Sequence, residues 1–357
     1  MEWQFIYRRK EDKKELLVSE QKQEGVKRVK YIDVTSTDPS VNLALEQYVF
    51  DTLSKDEDFF LLWQNDNSII IGKNQNTHME INSEYVKQNG IKVVRRLSGG
   101  GAVYHDLGNL NFTFIVKEGS RQYDFSKFCK PVIKALDKLG VKAEVNGRND
   151  MIIDGKKFSG NAQYFKNGKI MHHGTLMYNS NLEVLSGALQ VNVEKIAAKG
   201  VKSVKSHVTN IKPYMKDDNI PILEFKRLLL ENMFAENDLE SYALTSFDWN
   251  QISKLAEERY AAWEWNYGKS PDYEIRRQKR YEGCGQIEIC MNIRSGIITD
   301  FDLFGDFFSY EDKEELLRAI IGSRLSEENI KDRLEGIEVG RFIHNFTKED
   351  LICLLLA

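Results

Sequence analysis

The sequence predicts an α+β protein with one large domain and one small one, and three observations carry that prediction. Strand patterns rich in β-branched and aromatic residues are interleaved with amphipathic helical patterns through most of the chain. Five prolines in 357 residues leave those elements largely uninterrupted. Near Ser270-Pro271 the pattern changes to three strands and then helices, and the chain is too long for one core of ordinary size.

Taken in order, residues 1–27 are charge-rich, with the cluster Arg8-Arg9-Lys10-Glu11-Asp12-Lys13-Lys14-Glu15, and carry no assigned role. Val29 to Val34 alternates as a strand does. Asp38-Pro39 opens a helix, with aspartate as N-cap and proline at the first helical position; Val41, Leu45, Tyr48, Val49 and Leu53 form its apolar stripe. Phe59 to Trp63 and Ser68 to Ile71 flank Asn65-Asp66-Asn67 and read as a β-hairpin. A short helix from Glu84 to Asn89 closes at Gly90. Beyond a glycine-rich turn, Asn111 to Val116 is a strand, and a helix from Phe125 to Leu139, closed by Gly140, turns Phe128, Val132 and Leu136 inward. Strands follow at Lys142 to Val145, Met151 to Ile153, Lys157 to Phe165 and Ile170 to Met177, then helices at Ile222 to Phe234 and Asp248 to Trp263. In the small unit, Tyr273 to Arg280, Gln286 to Arg294 and Ile297 to Asp302 form three antiparallel strands, and helices follow at Glu311 to Ile321 and Lys348 to Leu355. The expected organisation is an extension at 1–27, a large domain at 28–262 and a small one at 270–357, with the boundary between about 262 and 270.

Composition excludes several function classes. A formal net charge of −4 gives no general electrostatic footprint for nucleic acid or an anionic membrane, so any anion site must be local. No apolar run is long enough to span a bilayer, and the first residues hold no apolar core before a cleavage site, so a cytoplasmic protein is expected. Cysteines at 129, 284, 290 and 353 include no CxxC pair and no histidine at ligand spacing, which argues against structural zinc and for reduced thiols. His172 and His173, if in a strand, point to opposite faces and cannot readily share one metal.

Chemistry concentrates in Arg95-Arg96-Leu97-Ser98-Gly99-Gly100-Gly101-Ala102-Val103-Tyr104-His105-Asp106. Consecutive glycines let backbone approach a ligand and aim N–H groups at oxygens, and the arginines add fixed positive charge, so the stretch reads as a cradle for a phosphate or carboxylate. It lacks the Lys-Ser/Thr of a P-loop, and Tyr104 stands where a dinucleotide fingerprint needs glycine. Taken alone, the stretch is equally a hairpin turn with solvated arginines. In a strand from Lys157 to Gln163, Lys157, Ser159, Asn161 and Gln163 would share one face, and Phe158, Gly160, Ala162 and Tyr164 the other. A polar strand face is normally solvated, although in a sheet covered by helices it lines a pocket.

After that turn come Asn149-Asp150-Met151-Ile152-Ile153-Asp154-Gly155-Lys156-Lys157-Phe158-Ser159-Gly160-Asn161-Ala162-Gln163-Tyr164, then His172-His173-Gly174-Thr175-Leu176, then Ala197-Ala198-Lys199-Gly200-Val201-Lys202-Ser203-Val204. In this order the motifs strongly resemble the lipoate–protein ligase family in its long, two-domain bacterial form, over about residues 30 to 355. The resemblance implies a large mixed sheet packed by helices, of the lipoyl/biotinyl ligase type, plus a small C-terminal α+β domain that swings between two reaction steps. It implies an ATP-dependent ligase that makes lipoyl-AMP and passes the lipoyl group to lysines of lipoyl domains of 2-oxoacid dehydrogenase complexes and of the glycine-cleavage H protein. By the same resemblance Lys157 is the catalytic residue and touches both the lipoate carboxylate and the adenylate phosphate. A compact ammonium suits the task, because joining a carboxylate to a phosphate brings two anions together.

Arg96, Gly101, Ala102, Val103 and Tyr104, with Asn149, Asp150 and Lys157, match the family's ATP site. Ser98, Gly99, Gly100, His173 and Gly174, with Lys157, fall on the lipoate side, and Asp150 is the candidate Mg2+ ligand. Arg95 and Ser98 are as readily turn-stabilising, and His105 and Asp106 could orient the loop. The stretch Ala198 to Asn210, with Lys199, Lys202, Lys205 and His207, resembles a loop that closes over the adenylate. Three rivals remain at this point. One is an ATP-independent octanoyl or lipoyl transferase of the same fold, which would need Cys129 as nucleophile; the others are a biotin ligase and a lipoate-binding scaffold without catalysis.

Overall fold

A computed structural model describes residues 28–117, 122–147, 149–189, 207–235, 238–268 and 273–357. The extension at 1–27 and residues 198–206 of the expected closing loop lie outside them. Fourteen strands are described: β1 Val29–Asp33, β2 Phe59–Trp63, β3 Ser68–Ile71, β4 Lys92–Arg95, β5 Val103–His105, β6 Asn109–Lys117, β7 Glu144–Asn146, β8 Asp150–Ile153, β9 Lys156–Lys166, β10 Lys169–Met177, β11 Leu239–Ser241, β12 Ile275–Tyr281, β13 Gly285–Arg294 and β14 Ile297–Gly305. Eight of them form one sheet in the order β11-β1-β2-β6-β10-β9-β8-β7, with β1 parallel to β2 and β11 and the other neighbours antiparallel. This is the mixed sheet expected of an α+β fold.

Alternation along the strands gives the sheet two apolar faces. From β2, Phe60 and Leu62 join Phe112, Met151 and Phe158 beneath the helices Phe125–Lys138 and Ile222–Met233. Phe59, Leu61 and Trp63 point the other way, into the core shared with the helices Pro39–Tyr48 and Ser246–Leu255. Each buried Phe or Leu side chain contributes roughly 1.5–3 kcal/mol. The Pro39–Tyr48 helix starts as expected: Asp38 Oδ1 accepts from the N–H groups of Ser40 (2.8 Å) and Val41 (3.2 Å), a cap worth about 1 kcal/mol. It buries more than the expected stripe, because Leu43, Ala44 and Glu46 are also enclosed between the sheets.

The hairpin expected from Phe59 to Ile71 does not form. β2 pairs with β1 and β6, whereas β3 is the centre of a second, three-stranded sheet in the order β4-β3-β5. Asn65 is not a solvated turn residue: it is fully buried, accepts from Asn42 Nδ2 at 2.9 Å and bonds His105 Nδ1 at 3.1 Å. The connection therefore carries the chain from one sheet to the other. Arg95 secures the second sheet, donating to the carbonyls of Gly72, Gln75 and Trp265 and to Thr77 Oγ1. Because Trp265 and Asn266 are held by Arg95, the large unit runs on through at least Asn266.

β12, β13 and β14 form the antiparallel sheet expected of the small unit, with its own core around Ile289, Phe301, Leu317 and Leu351. That unit docks on the large one. Phe308 is enclosed with Phe125 and Ala162, Tyr123 Oη donates to the Ser309 carbonyl at 2.9 Å, and Lys73 pairs with Asp312. No helix among the described residues is long and apolar enough to cross a membrane.

Candidate active site

The glycine-rich stretch links β4 to β5, strands that flank β3 on opposite sides. Its three glycines serve different ends. Gly100 takes φ +88°, the left-handed region that glycine enters without cost. A methyl carbon at Gly99 would overlap the Phe307 carbonyl oxygen of the small unit, so this residue permits close approach. Nothing lies within 4 Å of such a carbon at Gly101, which faces open space. Arg96, almost wholly buried, braces the turn from within: Nη2 donates to the carbonyls of Gly99 (2.7 Å) and Gly101 (2.9 Å), Nη1 to that of Ile70 (3.0 Å) and Nε to Ser98 Oγ (3.0 Å). Burial pulls its guanidinium down to about 10, still cationic at neutral pH.

A cleft of about 580 Å³ opens between this turn and the large sheet. Of the residues singled out in the sequence, Arg96, Gly100, Gly101, Ala102, Val103, Asn149, Lys157, His173 and Gly174 line it. Ser98 and Gly99 lie just behind, and Asp150 reaches in through Lys157, whose Nζ is 2.7 Å from Asp150 Oδ1. Tyr104 turns away into the apolar cluster with Ile69 and Val93, where burial pushes its phenol up to about 12; only its neighbours face the cleft.

The face assigned to Lys157 needs correction. A register shift between Met151 and Ile152 makes a β-bulge, so Met151 faces Ser159 while Ile152 faces Lys157. Phe158 thereby joins the core under the helices, and Lys157 turns to the cleft beside Gly160 and Ala162 instead of lying with Ser159, Asn161 and Gln163. A methyl carbon at Gly160 would lie 3.1 Å from Lys157 Nζ. The lysine backbone is clamped as well: its N–H donates to the His207 carbonyl (2.7 Å), and its carbonyl accepts from Thr209 (2.8 Å).

His172 and His173 do point to opposite faces. His172 stacks on Phe128 in the core, its pKa well below the usual imidazole value through burial. His173 lies in the cleft wall with both nitrogens engaged, Nδ1 by Glu46 and Nε2 by Ser98 Oγ. Leu43, Trp63 and Ile70 add an apolar lining, and with Asn111 they were missed as site residues; His105, expected to orient the loop, also lines the cleft. His105 Nδ1 bonds Asn65, whereas its Nε2, like Asn111 Nδ2, is buried without a partner. Burial pushes the His105 imidazole down to about 3, and the Arg96 charge adds to the effect. Cys129 is in the core with its thiol pushed up to about 12 by burial, and it does not line the cleft.

The sequence matches the family model described as "Lipoyl protein ligase A/B catalytic domain" over residues 38–234 and that of the "Bacterial lipoate protein ligase C-terminus" over residues 270–355. A lipoate-protein ligase of Bacillus subtilis, LplJ, is 47% identical over 322 residues, covering 89% of this chain and 97% of its own. The fold is shared with P. falciparum LipL1 in complex with lipoate, at TM-score 0.74 and 24% identity over 92% of this chain and 99% of that one. A bipartite lipoate protein ligase from Thermoplasma acidophilum, described with its E2 lipoyl domain, gives TM-score 0.59 and 27% identity over 70% of this chain and 99% of that one. A lipoate-protein ligase A bound with ATP gives TM-score 0.58 and 26% identity over 68% of this chain and 99% of that one. With both of its units matched and its cleft built from the matched stretches, the chain belongs to the lipoate–protein ligase family.

Proposed function

We propose that the cleft activates lipoate with ATP and passes the acyl group to a lysine amine of an acceptor protein. One observation carries the reading: Lys157 and the backbone of Gly100 to Val103 line the same cleft, which also has an apolar lining from Leu43, Trp63 and Ile70. In the first step a carboxylate oxygen of lipoate attacks the α-phosphorus of MgATP, the bond to the bridging oxygen breaks, and pyrophosphate leaves. Lys157 offsets the repulsion between the two anions, and Arg96 holds the turn rigid beneath the phosphates. In the second step the acceptor's ε-amine attacks the acyl carbon, AMP departs and the amine proton passes to solvent.

Magnesium enters with the nucleotide. Among the described residues no group of three or more His, Cys, Asp or Glu side chains could hold a metal ion. Asp150 fits the Mg2+ habit of one or two protein oxygens plus substrate phosphates, and it would exchange the Lys157 ammonium for the ion. Lipoyl domains of 2-oxoacid dehydrogenase complexes and the glycine-cleavage H protein are the proposed acceptors; the archaeal ligase described with its E2 lipoyl domain supports the first. Four free cysteines suit a reducing compartment, in keeping with the cytoplasm. The small unit, proposed to move between the steps, now takes the Gly100 N–H with its Phe307 carbonyl at 3.4 Å. The buried Cys129 thiol speaks against a cysteine-dependent transferase.

The test is pyrophosphate release with lipoate, octanoate and biotin in parallel, with and without an apo lipoyl domain. Lipoate-dependent release is expected, and Lys157→Gln should lower its rate constant about 10²–10³-fold without altering the circular dichroism spectrum. Release driven by biotin instead, or acyl transfer without ATP, overturns the assignment.

A further inference from the structure

Behind the cleft runs a chain of hydrogen bonds that none of the motifs contains as a unit. Trp63 Nε1 donates to Thr113 Oγ1 (2.9 Å), which donates to Glu46 Oε1 (2.6 Å). His173 Nδ1 lies 3.1 and 3.2 Å from the two Glu46 oxygens, and its Nε2 lies 2.6 Å from Ser98 Oγ. Ser98 Oγ accepts from Arg96 Nε at 3.0 Å, and the same guanidinium holds the Gly99 and Gly101 carbonyls. Glu46, Thr113 and Ser98 are each at most 1% exposed and do not line the cleft, whereas Trp63, His173 and Arg96 do.

The direction of every proton follows from the chemistry of the ends. Indole and guanidinium only donate, and a carboxylate only accepts. Thr113 receives the indole proton and so gives its own to Glu46. Glu46 only accepts, so His173 Nδ1 carries the proton that faces it; in the neutral ring Nε2 is then an acceptor, and Ser98, which receives the Arg96 proton, gives its own to it. One carboxylate therefore sets the His173 tautomer and, through Ser98, the seat of Arg96 under the glycine turn.

We propose that Glu46 is a positioning residue for acid activation: without touching either substrate, it couples the wall of the acyl pocket to the rigidity of the nucleotide turn. The proposal rests on the ligase reading of the cleft. In Glu46→Gln the amide oxygen still accepts from Thr113, and the amide NH2 takes the place of the oxygen 3.2 Å from His173 Nδ1, donor against donor. The available repair moves the His173 proton to Nε2, which then opposes a Ser98 oxygen that already accepts from Arg96, and the Ser98 proton loses its acceptor. The disturbance reaches Arg96 although Glu46 is not bonded to it.

Two readouts on the full-length protein test this, and neither needs turnover. Nitrogen-15 shifts of the His173 ring should report Nδ1–H in the wild type and in Glu46→Asp, but Nε2–H in Glu46→Gln. ATP binding by calorimetry should weaken about tenfold in Glu46→Gln and in Ser98→Ala, and no further in the double variant, because either change cuts the same chain. An Nε2–H tautomer in the wild type, or additive losses in the double variant, overturns the proposal. Should Glu46→Gln fail to fold, wild type and Ser98→Ala still decide it: unaltered ATP affinity in Ser98→Ala refutes it. Absent ATP binding by the wild type would count against the ligase reading, and the tautomer alone would then decide the role of Glu46.

Discussion

Gly99→Ala isolates the contact between the small unit and the glycine turn. Gly99 is outside the left-handed region, so alanine is compatible with its backbone, and the penalty is steric alone. The added carbon would overlap the Phe307 oxygen and sit 3.1 Å from Phe308 Cα, so that segment must retreat by about 1 Å. Retreat weakens the bonds that Phe307 O accepts from Gly100 N–H (3.4 Å) and Asn74 Nδ2 (3.3 Å), and the one that Gly305 N–H donates to Asn74 O (2.8 Å). At about 1 kcal/mol per bond, the docked arrangement loses ~2–3 kcal/mol, a 30–150-fold shift toward separation. Hydrogen exchange of the Gly305 amide should accelerate by about that factor, while amides in the middle of the β13–β14 ladder keep their protection. Gly101→Ala, with nothing within 4 Å of the added carbon, is the control and should leave Gly305 protected. Wild-type protection of Gly305 in Gly99→Ala would refute the docking geometry.

Two further outcomes follow from the fold. His105, pushed down to about 3, and His172, also well below 6.5, stay unprotonated in the native state while an unfolded imidazole binds a proton below pH ~6.5. The unfolded chain then holds more protons, so stability should fall as pH drops from about 6.5 to 5, by ~1.4 kcal/mol per unit for each group. Urea denaturation across that range tests this, and His172→Phe should reduce the slope whatever its absolute stability. A chain ending after Gly268 keeps the partners of Arg95 and loses Phe307 to Tyr310; it should lose ATP-driven activation yet still transfer from preformed lipoyl-AMP. Full pyrophosphate release by that chain would contradict the role given to the small unit.

The helices Pro39–Tyr48 and Phe125–Lys138 were legible because their signals are local: the Asp38 cap, and Gly140 after the helix that buries Phe128, Val132 and Leu136, need no knowledge of distant residues. Leu182–Ala188 and Glu327–Arg333, by contrast, were not expected, and the helix expected from Asp248 to Trp263 breaks after Tyr260. Strand partners are not local. β2 and β3 show a sound hairpin signal, but β2 finds more apolar surface between β1 and β6, and Asn65 serves a buried bond to His105. β5 and β11, at three residues each, are too short to display a period. The site divides in the same way. Arg96, the glycines, Lys157 and His173 lie in contiguous motifs, whereas Trp63, Glu46, Thr113 and Asn111 meet only through the register that sets Trp63 opposite Asn111 and Leu61 opposite Thr113.

The placement of Lys157 shows why periodicity alone misassigns the face of a side chain in the candidate site. Asp154 and Gly155, at φ 50° and 73°, make the tight turn between β8 and β9 and pin Ile153 opposite Lys156. Strict alternation from there inverts the faces: with Gly160 and Ala162 toward the cleft, Phe158 would follow them, and Lys157 would point under the Phe125–Lys138 helix. That arrangement strands an ammonium among Met151, Phe112 and Leu110 and puts a phenyl ring in the cleft, so it combines an unpaired buried charge with lost apolar burial. One extra residue in β9 removes both penalties, since Phe158 fills the core and Lys157 meets Asp150 across the bulge. Gly160, which has no side chain, leaves the space in which the lysine lies.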